Sequence, residues 1–255
     1  MPTTVVNGVP TWWAEHGAGE TVAVLHPGGV DSRALDPTVS GLADAFRVLT
    51  PDRRGHGRTP DVDGPVTYAL MAEDTAAFLE DVVGGPAHVV GVSDGAVVAL
   101  LLALHRPELV RRLVLVSGVH HRDGWDPATE ETDEGMSGFL AQLHDEVSPD
   151  APGHYPAVAA RLAAEHAREP RLATSDLGRV RARTLVMVAD DDEVRPEHAL
   201  ATYRSIPEAE LAVVPGTSHG LLVEKPELCN LLIRSFLAED PVPTLAPIRR
   251  APTAQ

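Results

Sequence analysis

The stretch Gly91-Val92-Ser93-Asp94-Gly95 decides the fold; it stands between His88-Val89-Val90 and the apolar run Ala96 to Leu104. The incoming residues read as strand and the outgoing ones as helix, so the pentapeptide marks a strand-to-helix corner. A G-x-S-x-G at such a corner holds the serine in a tight, strained turn with its hydroxyl presented outward, a nucleophile elbow. Both glycines have a steric task. Strand and helix backbones pass so closely there that a side chain two residues either side of the serine would collide.

On the N-terminal side, Thr3 to Val6 and Pro10 to His16 read as strands turned at Asn7-Gly8. Val22 to Leu25 is a short, wholly apolar strand of the kind buried on both faces of a parallel sheet. Leu35, Val39, Leu42 and Phe46 follow at helical spacing, and Val48 to Thr50 is a strand that ends in the turn Asp52-Arg53-Arg54-Gly55-His56-Gly57-Arg58. Tyr68 to Val83 is amphipathic helix, Ala87 to Val92 strand and Asp94 to His105 helix. Beyond them, Leu113 to Val116, Thr184 to Val188 and Leu211 to Val214 read as strands, and Glu197 to Ile206 and Leu228 to Leu237 as helices. This alternation predicts an α/β fold, a mostly parallel central sheet with helices on both faces.

One interval breaks the rhythm. Between about His120 and Arg179 there is no β-branched run, only helix-like sequence at Gly135 to His144 and Ala157 to Glu169, with an acidic, loop-like Asp126 to Asp133. Such an excursion predicts a small helical cap over the C-terminal edge of the sheet, where open α/β folds bind ligands. The expected organisation is a core of residues 1–119 and 180–239, a cap insertion over 120–179 and a flexible Pro-rich tail over 240–255.

Composition narrows the partners. A formal net charge of −16 argues against nucleic acid and anionic membranes, which need a basic patch. No apolar run reaches membrane-spanning length, and the N-terminus lacks the basic start and apolar core of a signal peptide, so a cytoplasmic protein is expected. Cys229 is the only cysteine; it excludes an internal disulfide and a cysteine-rich metal site and reads as a small buried hydrophobe.

From about Val5 to Leu237 the chain resembles the α/β-hydrolase fold family. The matching motifs are His26-Pro27-Gly28-Gly29, Asp52 to Arg58, the elbow at Ser93, Asp190-Asp191-Asp192-Glu193-Val194-Arg195-Pro196, and Pro215-Gly216-Thr217-Ser218-His219, each at a predicted strand end. Their order also meets the family sequence of nucleophile, acid, histidine. The resemblance implies a Ser-His-Asp triad of Ser93, His219 and Asp192. A serine hydroxyl is a poor nucleophile near neutral pH, so an imidazole must take its proton. Asp192 is the acid by position, since Pro196 follows it by four residues; Asp190, which is expected to close local backbone hydrogen bonds, and Asp123 stay open as alternatives.

An oxyanion hole is implied at the backbone N–H groups of Asp94 and Gly28, with Gly29 second; Pro27 has no N–H to give. The Asp94 side chain would oppose an oxyanion and is expected to point away from it. Asp52, Arg53 and Arg54 read as a structural corner tied by charge, and His26 as a brace of the oxyanion loop. Substrate contacts are expected from His120, Trp125, Phe139, Leu140 and Val194.

The activity implied is hydrolysis of small to medium carboxylic esters or lactones through an acyl-enzyme, with no cofactor and no metal. A lyase or acyltransferase on the same scaffold, and a ligand-binding protein without turnover, remain alternatives. The expected partner is the small-molecule substrate, with a homodimer left open.

Overall fold

Parallel strands made of unbroken apolar residues need cover on both faces, and this chain supplies it by alternating strand with helix. The computed structural model describes residues 3–64, 66–126, 134–241 and 243–247. The strands are β1 (Thr3–Val6), β2 (Val9–His16), β3 (Glu20–Leu25), β4 (Phe46–Pro51), β5 (Ala87–Val92), β6 (Val110–Val116), β7 (Arg183–Asp191) and β8 (Ala209–Ser218). The helices are α1 (Asp36–Leu42), α2 (Tyr68–Phe78), α3 (Asp94–His105), α4 (Glu134–Asp145), α5 (Tyr155–His166), α6 (Thr174–Leu177), α7 (Pro196–Ser205), α8 (Leu221–Glu224) and α9 (Pro226–Ala238).

The strands form one eight-stranded sheet in the order β1-β2-β4-β3-β5-β6-β7-β8. β1 with β2 and β2 with β4 pair antiparallel, and every later neighbour pair is parallel. Leu42, Ile233 and Phe236 from α1 and α9 bury one face against Val24, Val90 and Val114. Met71, Leu100 and Ala199 from α2, α3 and α7 join Leu25, Val89 and Leu113 in the core on the other face. The mostly parallel α/β sheet read from the sequence is therefore the fold.

Among the element boundaries that differ from the sequence reading, two have a clear physical cause or consequence. Phe46, placed by its spacing on a helix, opens β4, because α1 stops at Leu42 and burial of Phe46 with Val48 and Val22 favours the strand. β8 runs on through Pro215-Gly216-Thr217-Ser218, where a loop is expected, with a register shift opposite Ala189 and Asp191. His219 therefore leaves directly from the end of a strand.

The elbow has the crowding its glycines imply. Ser93 adopts φ +54° and ψ −118°, a strained backbone for a non-glycine residue. A β-carbon on Gly91 would stand 2.2 Å from the Gly95 carbonyl oxygen, and one on Gly95 2.3 Å from that of Leu25.

Helices α4, α5 and α6 all fall between β6 and β7. A short antiparallel neck closes their base: the Leu172 N–H donates to the His120 carbonyl at 2.9 Å and the Arg122 N–H to that of Pro170 at 2.8 Å. Helix α5 lies over the C-terminal edge of the sheet, with Tyr155 above Gly29 and His166 against Asp94. Most of the acidic stretch 126–133 and residues 242 and 248–255 of the tail lie outside the described residues. No helix among the described residues is long and apolar enough to cross a membrane.

Candidate active site

Ser93, Asp192 and His219 each follow the C-terminal end of a parallel strand, β5, β7 and β8, and so project at the same rim of the sheet. His219 Nδ1 lies 2.8 Å from Asp192 Oδ1, and its Nε2 lies 3.1 Å from Ser93 Oγ. An ionised carboxylate only accepts, so Nδ1 carries the proton and Nε2 is left to accept from the serine hydroxyl.

Asp192 is held from four sides. Its Oδ2 accepts from Ser117 Oγ at 2.5 Å and from the Ala189 N–H at 2.9 Å; its Oδ1 accepts from the Val194 N–H at 3.1 Å besides His219. Burial pushes this carboxyl up, but the donors His219, Ser117 and Ala189 outweigh it and keep its pKa below the usual carboxylate value. The competing aspartates are placed elsewhere. Asp190 accepts from the Thr217 N–H at 3.1 Å, a bond to the neighbouring strand and not the local one expected, and Asp123 is exposed beside His121 and Arg122.

Burial also pushes the His219 imidazole down. The hydrogen bond to Asp192 and the charges of Glu193, Asp192 and Asp94 more than offset this, so its pKa is raised above the ordinary histidine value. Glu193 contributes from half-exposed surface, its Oε2 3.9 Å from His219 Nε2. A base must be neutral to take a proton, so activity is expected to develop as pH rises through the His219 pKa. Glu193→Gln removes one anion that favours imidazolium and is expected to move the acid limb of kcat/KM to lower pH. The shift should shrink at high salt, because the carboxylate is exposed. A profile that stays in place would remove Glu193 from this role.

The loop after β3 is braced from behind. Arg53, itself buried, donates through Nη2 to the carbonyls of His26 at 2.7 Å and Pro27 at 2.8 Å. His26 Nδ1 donates to the same Pro27 oxygen at 2.7 Å, and its Nε2 accepts from the Arg53 N–H at 3.0 Å. C=O and N–H point opposite ways across a planar trans peptide. Turning the Pro27 carbonyl toward Arg53 therefore aims the Gly28 N–H away from it. Gly28 must be glycine, since a β-carbon there would stand 2.0 Å from Asp94 Oδ2.

That contact corrects the orientation expected for Asp94. Its side chain is 1% exposed and turned inward, accepting from Tyr68 Oη at 2.7 Å and facing His166 Nε2 at 2.8 Å. Burial raises its pKa, but the charge and bond of His166, the charge of Arg53 and the Tyr68 hydroxyl lower it well below the usual range. Inward burial is tolerated because these partners replace water.

The expected substrate contacts divide. The Trp125 ring stands 6.0 Å from that of His219, and Leu140 lies near Gly29. His120 is turned aside: its ring stacks on His198 at 3.9 Å and its Nδ1 meets Thr202 Oγ1 at 2.9 Å, against α7. Phe139 is 56% exposed on α4, and Val194 is wholly buried, bridging Trp125 and bonding Asp192 through its backbone. His120 therefore packs against α7 and not toward Ser93, Phe139 is exposed on α4, and Val194 acts as support beneath Asp192. Sequence reading missed Ser117, Tyr68 and His166. Only Ser117 carried a signal, as a polar residue ending an apolar strand.

The sequence model of the alpha/beta hydrolase family matches residues 16–230. RutD of Azorhizobium caulinodans, which carries the name of a carbamate hydrolase, is 26% identical over 267 residues, covering 94% of this chain and 99% of that one. Among solved structures, the serine hydrolase CarC, involved in carbazole degradation, superposes with a TM-score of 0.79 at 21% identity over 93% of this chain and 98% of its own. The enol-lactonase of Burkholderia xenovorans LB400 gives 0.76 at 20% identity over 93% of this chain and all of the other. Both structural likenesses carry the fold. With a family match spanning most of its length, the chain belongs to the alpha/beta hydrolase family.

Proposed function

We propose that the protein is a serine hydrolase that cleaves small to medium carboxylic esters or lactones. The observation that carries this is the unbroken chain Asp192–His219–Ser93, with His219 Nε2 3.1 Å from the hydroxyl oxygen. Ser93 Oγ attacks the carbonyl carbon while its proton passes to His219 Nε2, and the Asp94 and Gly28 N–H groups receive the developing oxyanion. Collapse expels the alkoxide, which takes the proton from the imidazolium and leaves an acyl-enzyme. Water, deprotonated by His219, then attacks the ester; its collapse releases the acid and returns the proton to Ser93. The scheme needs neither metal nor cofactor.

Carbamate, ester and lactone all present an acyl carbonyl, so the names borne by the relatives fit the same machinery. Trp125 and Leu140 supply apolar surface beside it, which suits neutral substrates, and the acidic net charge disfavours polyanions and nucleic acid. Asp94 is buried and already bonded to Tyr68 and His166, so esters of amino acids gain no anchor from it. The proposal includes a cytoplasmic setting, in keeping with a single unpaired, buried cysteine. The test is a panel of acyl esters of increasing chain length, five- and six-membered lactones and an aryl carbamate. Turnover of short and medium acyl groups is expected, and turnover restricted to long-chain lipids would overturn the substrate class.

A further inference from the structure

A buried carboxylate directly after the nucleophile is a liability for the reaction proposed above. In the tetrahedral step the substrate oxygen turns negative between the N–H groups of Asp94 and Gly28. Asp94 Oδ2 presses on Gly28 so closely that a β-carbon there would stand 2.0 Å from it. A carboxylate buried beside one of the two donors repels the negative charge which that donor receives.

The fold brings an imidazole to this carboxylate from a distant part of the chain. His166 Nε2 lies 2.8 Å and 3.0 Å from the two Asp94 oxygens, and Tyr68 Oη donates to Oδ1 at 2.7 Å. His166 is the last residue of α5, on the excursion between β6 and β7. Its ring lies nearly parallel to that of Tyr68, 6.1 Å away, and 6.4 Å from that of Trp125. The charged groups around it are Asp94 on α3, Arg53 after β4 and Glu165 on its own helix; the Tyr68 phenol faces it from α2. Glu165 is itself engaged by the Tyr68 N–H at 3.0 Å.

We propose that His166 is a positioning residue of the serine site: its imidazolium, paired with Asp94, cancels the carboxylate beside the oxyanion donors and clamps α5 onto the elbow. The proposal rests on the reading of Ser93 as nucleophile and of the Gly28 and Asp94 N–H groups as oxyanion donors.

Its signature is a second ionisation. Partial burial pushes the His166 imidazole down, although its side chain is 43% exposed, while the charge and hydrogen bond of Asp94 raise it further than burial lowers it; Glu165 adds to the rise and Arg53 opposes it. A histidine raised in the folded state stabilises fully below its ordinary pKa, and that stability is lost as pH rises through the folded value. Clamp and charge cancellation therefore fail together on the alkaline side. Activity rises with pH through His219 and falls through His166.

The experiment follows the rate at which a fluorophosphonate labels Ser93, from about pH 5 to about pH 10, so that both limbs are seen. It compares the parent protein with His166→Gln, Asp94→Asn and the double variant, each checked by thermal melting. The parent rate is expected to fall at both ends. His166→Gln should be slower by about tenfold or more near neutrality, because the oxyanion site then faces an uncancelled charge, and should lose its alkaline fall. Asp94→Asn should also lose that fall, and adding His166→Gln to it should cost under about threefold, since no carboxylate is left to cancel.

A His166→Gln protein that keeps the parent profile overturns the proposal, as does a loss equally large with and without Asp94. Should His166→Gln melt below the assay temperature, Asp94→Asn alone decides, because a persisting alkaline fall there excludes the pair as its source. Parent protein that shows no Ser93-dependent labelling sinks the nucleophile reading and this proposal with it. Labelling that is intact but indifferent to His166 sinks this proposal alone.

Discussion

Replacing either Ser93 or His219 with alanine is expected to lower kcat by about ten-thousandfold to a millionfold, with little change in fold. Ser93 supplies the bond-forming oxygen, and His219 Nε2, at 3.1 Å, is placed to remove its proton. Because the two act as a unit, the double variant should be no slower than either single one. Ser93 is buried but small and His219 half-buried, and neither substitution empties the apolar core, so melting temperatures should move little. Steady-state kinetics on an activated ester, together with fluorophosphonate labelling, measures this. Labelling that survives Ser93→Ala, or turnover within tenfold of the parent in His219→Ala, would show that the chemistry lies elsewhere.

Asp192→Asn is expected to cost about ten-thousandfold in kcat while leaving KM within a few-fold, because it inverts the imidazole tautomer. Each carboxylate oxygen accepts from one backbone N–H, Val194 at Oδ1 and Ala189 at Oδ2, besides His219 and Ser117 respectively. An amide has one oxygen, so either orientation sets its NH₂ against a backbone N–H. With the NH₂ toward His219, Nδ1 must accept, Nε2 carries the proton, and Ser93 loses its base. The unpaired buried donor should also lower stability by about 1–3 kcal/mol. Ser117→Ala removes one donor and keeps the tautomer, so its loss should be far smaller. Kinetics and melting on the two variants separate these effects, and an Asp192→Asn protein as fast as Ser117→Ala would remove Asp192 from the role.

The legibility of this chain varied with the kind of interaction. The elbow, its glycines and the βα alternation were readable because they depend on neighbours in sequence: backbone crowding at Ser93 and the cover needed by apolar strands are local demands. The inward turn of Asp94 was not readable. A carboxylate early in a helix normally faces solvent, and what reverses this is Tyr68, 26 residues away, and His166, 72 residues away. The placement of His120 was not readable for a related reason. Apolar or aromatic character marks a residue for contact without saying which surface it meets, and the stacking of His120 on His198 needs α7 beside the end of β6.

By itself, the amino-acid sequence determined the parallel α/β sheet, the strained serine corner and the order of motifs at its strand ends, because local sterics and the periodicity of burial write these directly into the chain. Only the tertiary structure decided that Ser117 donates to Asp192, that Arg53 holds the loop of Gly28, and that a histidine from the helical excursion pairs with Asp94. Those choices turn on hydrogen-bond geometry between segments brought together by the sheet, and linear spacing carries no record of it.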